Sequence, residues 1–419
     1  MKKFFLMRRR MDGLFFLLAA FMLMLPTDTS TVVFGTFLGI GIYLLVFKPK
    51  KSLSHVDKTY LVVTLGFSAS SLLINLLNGS LPGDLRWSSY PLYYSLVIPI
   101  AIGAVLVRDP LRQFVIGTRA ALVVLALWAL FETITAPGRL GFGSNPANAA
   151  FAISFLAVVS RLNIRSAPWL LANRYLFFYL GFITVVASQT RAVLPVFLLA
   201  IALDGFQLML RHRGPGSWLG NRRNIVISGV VLALCLSSIW IIYPSYAERI
   251  QSSIKEISLA FQPKPSDTVD AFGHLGMSIR FAQWRGALEL IAENPVLGRG
   301  GTGISEAIIT HTSQDTSPDL REYTFVHNFI LDETIQRGLA GLALLIGYFG
   351  FCFGRIYRYG DSSMRENVLL ILVLTFSFGL LHYLLVIDRH VILYAFYFLL
   401  LTTANHQAGR TGSSIAAAG

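Results

Sequence analysis

The chain has 419 residues, of which 54% are hydrophobic and 14% are charged. A soluble domain usually carries about 25% charged residues, so this composition over this length excludes a soluble enzyme, a disordered scaffold and a coiled coil. What remains is a membrane protein with many spans, and the formal net charge of +13 has to be interpreted in that setting.

Apolar runs long enough to cross a bilayer recur along the chain, since a spanning helix needs about 20 such residues. The predicted spans are 13–26, 31–47, 59–77, 89–107, 114–134, 146–160, 175–190, 192–210, 225–243, 336–353, 367–386 and 390–404. The first is predicted to be retained, because no convincing small-residue cleavage site follows it. The sequence therefore predicts an all-α polytopic membrane protein of about twelve transmembrane helices, nine in residues 1–243 and three in residues 336–405.

The basic residues are distributed unequally between the two sides of the membrane. Most of them fall in the loops and termini of one side, whereas the short loops of the other side hold Arg86, Arg139, Arg191 and Arg389. An excess of Lys and Arg marks the cytoplasmic side. Both termini are therefore predicted to be cytoplasmic, and the basicity is a topology signal rather than a sign of nucleic-acid binding.

Residues 244–335 form one large loop without a long apolar run, on the side opposite the termini. The loop is net acidic although the whole chain is basic. Apolar periodicity predicts a helix over 277–292 and a second helix from about His327 into the tenth span. Residues 262–276 have the composition of a flexible linker or lid. We expect a helical cap outside the cytoplasm and, after Asn405, a disordered cytoplasmic tail over 406–419.

The sequence gives no sign of a metal or nucleotide site. Cys235 and Cys352 both fall in apolar runs, and the loop histidines lack metal-ligand spacing, so no metal or cofactor is predicted. The run Gly298–Gly303 follows a predicted helix and Asn294-Pro295 instead of a β-strand, which argues against nucleotide binding. It is typical of a tight turn that brings the backbone close to another group, such as a glycan or the membrane.

Arginines at two places are candidates for anion binding. Arg191 stands between two apolar runs with almost no loop around it, where an arginine is costly unless it is paired or faces a wet cavity. It is either an interfacial arginine that reaches toward water or an anion site, which the guanidinium suits. Arg280 and Arg285 diverge by about 140° on a regular helix, so they do not form one clamp.

His327 lies where the loop returns to the bilayer, in Phe325-Val326-His327-Asn328. Histidine titrates near neutrality and can take a proton from a sugar hydroxyl. The alternative is a histidine that is simply hydrogen-bonded at a helix start, and the residues alone leave both open.

A transporter is the rival from another functional class. Arg119, Glu132, Asp204 and His382 lie inside predicted spans, where charged residues often mark an ion or proton path. Their spacing gives no ladder, so structural pairing between helices is the favoured interpretation. Asn78-Gly79-Ser80 matches a glycosylation pattern that is expected by chance.

Several blocks together resemble the O-antigen ligase and polymerase superfamily. The blocks, in chain order, are Gly143-Ser144-Asn145-Pro146-Ala147-Asn148, Ser188-Gln189-Thr190-Arg191, Ser278-Ile279-Arg280-Phe281-Ala282-Gln283-Trp284, Asn294-Pro295-Val296-Leu297-Gly298-Arg299-Gly300, His327-Asn328 and Gly338-Leu339-Ala340-Gly341-Leu342. One departure exists, because Gln336-Arg337-Gly338 stands where the superfamily usually has Glu-x-Gly. A catalytic role for a glutamate at that place is therefore in doubt.

The resemblance implies a membrane-embedded glycosyltransferase of the C type (GT-C), on the periplasmic face of a Gram-negative inner membrane. Its donor would be an O-antigen glycan on undecaprenyl pyrophosphate, and its acceptor a sugar hydroxyl of the lipid A–core oligosaccharide. Membrane lipids would surround it, and neither metal, nucleotide nor nucleic acid would take part.

Carried over by position, Arg191 and Arg280 would hold the pyrophosphate, and His327 would deprotonate the acceptor hydroxyl for displacement with inversion. Asn328 would orient the acceptor or the base. Arg285 would bind substrate, although the superfamily is variably basic at that position, and Arg86 would contact donor phosphate or lipid headgroup. The resemblance leaves three chemistries open: an O-antigen ligase, which is favoured, an O-antigen polymerase, or a protein O-oligosaccharyltransferase.

Overall fold

A computed structural model of the chain describes residues 21, 29–47, 57–80, 85–104, 109–135, 140–143, 145–164, 173–211, 251, 276–301, 304–312, 326–385 and 388–416. The helices are α1 (Thr29–Phe47), α2 (Lys58–Leu77), α3 (Leu85–Ala104), α4 (Pro110–Thr135), α5 (Pro146–Ser160), α6 (Arg174–Ala187), α7 (Leu194–Arg211), α8 (Gly276–Glu293), α9 (Ile304–Thr312), α10 (Phe329–Tyr359), α11 (Ser362–Gly379) and α12 (Asp388–Ala416). A 3₁₀ turn, Arg191–Val193, precedes α7.

The described ranges contain helices and no β-strand, so the predicted all-α class is confirmed there. Three of the described helices, α2, α4 and α10, are long and apolar enough to cross a membrane. Five shorter apolar helical stretches accompany them: Phe34–Phe47, Tyr90–Gly103, Pro146–Ser160, Arg174–Ala187 and Arg389–Ala404. The total of twelve spans stays a prediction, because the predicted first and ninth spans lie almost entirely outside the described residues.

Polar side chains set where several helices begin. Asn145 accepts a hydrogen bond from the backbone N–H of Ala147 at 2.9 Å, and Pro146 occupies the first helical position of α5. Asp361 caps α11 in the same way, through the backbone N–H of Met364 at 2.9 Å. Such caps satisfy N–H groups that have no partner in the first turn and stabilise a helix by about 1 kcal/mol each.

The bundle has one large apolar core that includes side chains of α1 to α7 and of α10 to α12. A second, smaller apolar cluster joins α8 and α9 to the first half of α10. Its buried members are Ala287, Leu290, Ile304, Ala307, Ile308, Val326 and Ile335. This cluster is the packed part of the segment for which the sequence predicts a helical cap, and the helix predicted over 277–292 is present as α8.

Helix α10 contains a break. The predicted helix from about His327 into the tenth span is present, but Gly338 interrupts it with φ 65° and ψ −169°. At the other end of the chain, α12 extends to Ala416, through most of the stretch that the sequence predicts to be a disordered tail. The predicted linker over 262–276 lies outside the described residues, apart from Gly276 at its end.

Candidate active site

His327 lies in a sharp turn immediately before α10, with a backbone φ of 57°. This left-handed conformation is uncommon for residues other than glycine, although histidine tolerates it better than most. The backbone N–H of Val326 donates to Asp332 Oδ1 at 3.0 Å, and Trp284 Nε1 donates to the carbonyl oxygen of Val326 at 3.0 Å. The side chain of Asn328 caps the first turn of α10. These contacts hold the backbone of His327 in one orientation.

The ring of His327 is half-buried among aromatic side chains of the segment after α11. Its centroid lies 5.2 Å from that of Tyr383 and 6.2 Å from that of His382, both approximately edge to face. The His382 ring stacks in turn on Phe378 at 4.6 Å. The position of the His327 side chain therefore depends on the turn before α10 and on the segment after α11.

A small cavity of about 10 Å³ opens beside this turn, which is room for about one water molecule. Its lining residues are Tyr90, Phe329, Asp332, Glu333, Gln336, Leu384 and Leu385. Asp332 is 3% exposed. Its Oδ1 accepts from the backbone N–H of Val326, and its carboxyl also receives a hydrogen bond from the backbone of Asn328.

A buried ion pair forms one wall of the cavity. Arg337 donates to both carboxylate oxygens of Glu333, from Nε at 2.7 Å and from Nη2 at 2.8 Å. The Tyr90 hydroxyl donates to the same carboxylate, and its ring lies 4.4 Å from the Arg337 guanidinium. The charge of Glu333 is therefore compensated inside the protein, and Arg337 is bound to Glu333 rather than open to a substrate phosphate.

The turn over 294–300 docks onto the break in α10. The backbone N–H groups of Arg299 and Gly300 donate to the carbonyl oxygens of residues 335 and 336, at 2.9 and 3.0 Å. On the other side of the break, the N–H groups of residues 339 and 340 donate to the carbonyl oxygens of residues 295 and 296, at 2.8 and 3.1 Å. The turn thus provides hydrogen bonds for groups that a break in a helix leaves without helical partners.

Glycine is required at this contact on both sides. Gly298 and Gly338 both have positive φ, and a Cβ built on Gly298 would lie 2.6 Å from the backbone nitrogen of Gly338. The sequence predicted a tight turn that brings the backbone close to another group. In the structure the backbone of α10 is such a group.

The C-terminal end of α2 contacts the same place. Asn78 Nδ2 donates to the carbonyl oxygens of Leu297 and Gln336, at 3.0 and 2.9 Å. The side chain of Ser80 lies against Gly300. The motif Asn78-Gly79-Ser80 therefore joins the helical bundle to the 294–300 turn. The sequence did not predict this contact, because the partners of Asn78 lie more than 200 residues away along the chain.

Arg191 opens the 3₁₀ turn between α6 and α7 and is half-buried. Gln189, two residues earlier, has a φ of 55°, which turns the chain sharply. Thr190 Oγ1 donates to the carbonyl oxygen of Pro146 at 3.4 Å. The block around Arg191 and the Asn-Pro block before α5 are thus in contact, as parts of one end of the bundle.

A chain of contacts leads from this end to the cavity. The carbonyl oxygen of Asn148 lies 3.4 Å from His390 Nε2, and the other ring nitrogen of His390 lies 3.2 Å from the carbonyl oxygen of Leu384. Leu384 lines the cavity together with Asp332. Arg191 and His327 therefore belong to the same end of the described bundle.

Arg280 is half-buried in the first part of α8. The helix is tied to the His327 turn through Trp284, which bonds to Val326 and packs edge-on against Phe281 at 5.4 Å. Arg285 is exposed on the same helix. The backbone of Arg86 lies in α3, but its side chain lies outside the described residues.

The residues of the transporter hypothesis are engaged in separate structural contacts. Asp204 pairs with the buried Arg161, whose guanidinium also bonds Glu366. Arg119 donates to the backbone carbonyl oxygen of Ser160 at 2.7 Å. Glu132 accepts from its neighbour Trp128, and His382 stacks on Phe378 and lies edge to face with His327. The favoured interpretation of structural pairing is confirmed for Asp204, and the sequence missed that Arg161 is its partner.

Residues 176–346 match the family model described as O-antigen ligase. The matched range contains Arg191, Arg280 and His327 and includes the contact between the 294–300 turn and α10. The resemblance to the O-antigen ligase superfamily is therefore confirmed, and proteins of this family are membrane glycosyltransferase-like enzymes. No curated protein matches the chain.

Proposed function

We propose that this protein is an O-antigen ligase, which transfers a glycan from undecaprenyl pyrophosphate to a sugar hydroxyl of the lipid A–core oligosaccharide. One observation carries the proposal: the O-antigen ligase match covers residues 176–346 and so includes all three residues to which chemistry was assigned, Arg191, Arg280 and His327. The proposed setting is the periplasmic face of a Gram-negative inner membrane, in a GT-C-type helical frame with both termini cytoplasmic.

In the proposed reaction, His327 takes the proton of the acceptor hydroxyl while the oxygen attacks the anomeric carbon of the donor sugar. The bond between that carbon and the pyrophosphate oxygen breaks, and undecaprenyl pyrophosphate leaves with the bonding electrons. Attack from the face opposite the leaving group inverts the anomeric configuration. The fixed backbone at His327 supports this role, since a base must be held within hydrogen-bond reach of the proton that it removes.

Arg191 and Arg280 would bind the pyrophosphate and stabilise the charge that develops on it as it leaves. A guanidinium suits this task because it presents paired N–H donors and keeps its charge. Both arginines are half-buried, and partial desolvation strengthens such an interaction. The reaction needs neither a metal nor a nucleotide, because the lipid pyrophosphate is itself the leaving group.

Asn328 fixes the start of α10 immediately after His327. Its side-chain oxygen accepts from the backbone N–H of Ile330 at 3.0 Å, so in the structure this oxygen caps α10. We propose that Asn328 orients the His327 turn, and that Arg285 and Arg86 make the weaker contacts with donor phosphate or lipid headgroup.

The test uses purified full-length protein in detergent with a glycan on undecaprenyl pyrophosphate, in EDTA and without ATP. One tube contains lipid A–core as acceptor and the other contains donor alone. A shifted product that forms only with lipid A–core is the expected result. Ladders of glycan from donor alone would instead assign the chain to the polymerases, and intact donor in both tubes would revive the transporter hypothesis.

A further inference from the structure

We propose that the 294–300 turn is a lipid-contacting element, which presents Pro295 and Val296 to acyl chains at the edge of the bilayer's hydrocarbon core. The partner is the lipid surface on the side of the membrane that carries His327. The turn lies outside the spans predicted from the sequence, and the inference does not depend on the proposed transfer reaction.

The first argument is the length of α10 beyond its break. From Leu339 to Tyr359 the helix is about 30 Å long at 1.5 Å per residue, which is the hydrocarbon thickness of a typical bilayer. The exposed residues from Leu339 to Gly354 are all apolar or glycine, and the exposed Tyr357, Arg358 and Tyr359 follow them. Tyrosine and arginine are typical of a membrane–water interface. One boundary of the hydrocarbon core therefore lies near Tyr359 and the other near Leu339.

Helix α2 indicates the same boundary independently. Its 20 residues, Lys58–Leu77, also extend over about 30 Å, and the helix is apolar and long enough to span a membrane. Asp57 pairs with Arg355 at one end of the two helices, and Asn78 bonds the 294–300 turn at the other. The two helices therefore cover the same depth, and both reach the second boundary at this turn.

The second argument is the exposure of apolar side chains at this level. Val296 is 61% exposed and Leu339 is 55% exposed. The two lie close together, because the N–H of Leu339 donates to the carbonyl oxygen of Pro295 at 2.8 Å. Leu76 and Leu77, at the end of α2, are exposed as well. Single exposed apolar side chains are ordinary, but these continue the apolar faces of two spanning helices, and acyl chains are the partner that suits such a surface.

The third argument is that the backbone of the turn is already hydrogen-bonded. Irregular backbone is tolerated at membrane depth where protein covers its polar groups. The carbonyl oxygens of residues 294–297 all accept hydrogen bonds, in order from Gly298, Leu339, Ala340 and the side chain of Asn78. The N–H groups of residues 298–300 all donate, and Pro295 has no N–H. The turn can therefore lie at the edge of the hydrocarbon core without leaving these groups unpaired.

The test reads lipid contact directly and measures no transfer. Full-length Val296→Cys in a Cys235→Ala background is labelled with the fluorophore NBD and reconstituted into vesicles of phosphatidylcholine and phosphatidylglycerol. Some vesicles contain a lipid with a nitroxide quencher near the headgroup end of an acyl chain, and others a lipid with the nitroxide near the chain terminus. The expected result is blue-shifted emission that the shallow nitroxide quenches more strongly than the deep one. The Cys235→Ala protein without the new cysteine is the labelling blank.

Two further positions calibrate the depth. A label on Ile346→Cys, exposed on α10 about 10 Å beyond Leu339, should be quenched more strongly by the deep nitroxide. A label on Glu289→Cys, at an exposed position of α8, should emit as in water and escape both quenchers. Leu339→Cys lies at the same depth as Val296 and decides the question if Val296→Cys does not fold.

Two results would overturn the inference. Emission and quenching at Val296 equal to those at Glu289 would mean that the turn lies in water. Blue-shifted emission that neither nitroxide quenches would mean that protein, such as a second copy of the chain, covers the turn instead of lipid. Both results leave the proposed transfer reaction untouched, and a failed transfer assay leaves this inference standing.

Discussion

Arg191 and Arg280 each lie in the first part of a helical segment, and both side chains are half-buried. At such a place the shape of the cation matters as well as its charge. A guanidinium can bind two phosphate oxygens at once, whereas the ammonium of lysine is a compact point charge. The two arginines and the turn of His327 are the residues on which the proposed chemistry depends.

The first prediction is that Arg280→Lys lowers kcat/KM for the lipid-linked donor by about tenfold or more, the range expected for loss of a charge-assisted hydrogen bond. Arg191→Lys should have the same effect. Transfer rates against donor concentration provide the measurement. The matched control is Arg358→Lys, at an exposed arginine near the end of α10, which should transfer like wild type. Full activity of Arg280→Lys would mean that charge alone is sufficient.

For single residues, the sequence predicted those site residues whose immediate sequence neighbours are unusual. Arg191 was found because it stands between apolar runs, and His327 because it precedes a helix at the edge of the loop. Asp332, Tyr90 and Asn78 were missed, since each acquires its role through contacts with distant parts of the chain. A carboxylate in the first turn of a helix is common, and nothing in the local sequence showed that Asp332 holds the turn of His327 through the backbone N–H of Val326.

At the scale of elements, the contact between the 294–300 turn and α10 explains why two blocks separated along the chain stay together. Gly338 breaks α10, and backbone groups of the turn satisfy the carbonyl and N–H groups on both sides of the break. The break redirects the helix between the segment that carries His327 and the segment that enters the proposed membrane span. Stability of the site should therefore depend on glycine at this point.

The second prediction is that Gly338→Ala destabilises the protein by about 2 kcal/mol or more. A residue with a side chain is strained at φ 65° by about 1–3 kcal/mol, and its Cβ would overlap the carbonyl group of Val296. The control is Gly347→Ala in the same helix, where a Cβ meets nothing within 4 Å. That change should be neutral or stabilising by up to about 1 kcal/mol. Thermal unfolding in detergent compares the two, and equal stability would contradict the account of the break.

The third prediction concerns the buried ion pair in the wall of the cavity. Arg337→Met leaves the Glu333 carboxylate buried without its partner, which should cost about 3–5 kcal/mol. Combining it with Glu333→Gln should recover part of that loss, because the uncompensated charge is then removed. Unfolding of the two single variants and the double variant measures the coupling. Strictly additive losses would show that the two side chains do not depend on each other.

At the scale of the whole molecule, the two ends of the described bundle differ in chemistry. The end that carries His327 has the cavity and the docked turn. The opposite end has ion pairs that join neighbouring helices, among them Arg161 with Asp204 and Arg355 with Asp57. This arrangement agrees with the charge distribution of the sequence, which assigns the second end to the cytoplasm.

The fourth prediction tests that orientation with a membrane-impermeant maleimide on intact cells whose outer membrane has been made permeable. In a background with Cys235→Ala, a cysteine introduced as Glu289→Cys on the exposed face of α8 should be labelled. Ser362→Cys, at the exposed start of α11, should be labelled only after the inner membrane is disrupted. Cys352 is buried and serves as an internal control. The reverse pattern would contradict the predicted topology.

The fold was predictable where it depends on local composition. Long apolar runs gave the positions of α2, α4 and α10, and periodicity gave α8 to within a residue or two of its ends. The break at Gly338 and the hydrogen bonds from the 294–300 turn were not predictable, because they depend on backbone contacts between separated segments. Helix α9 was also missed, since its nine residues are too few for a clear periodic signal.

The most direct test of the central claim compares wild-type protein with His327→Ala in the reconstituted transfer reaction. We expect His327→Ala to fold normally and to lose about 10²–10⁴-fold in the rate of transfer to lipid A–core, the contribution of a general base. The matched control, His406→Ala in α12, should transfer at the wild-type rate. Wild-type transfer by a well-folded His327→Ala would contradict the claim, because the reaction would then proceed without the residue on which the site is built.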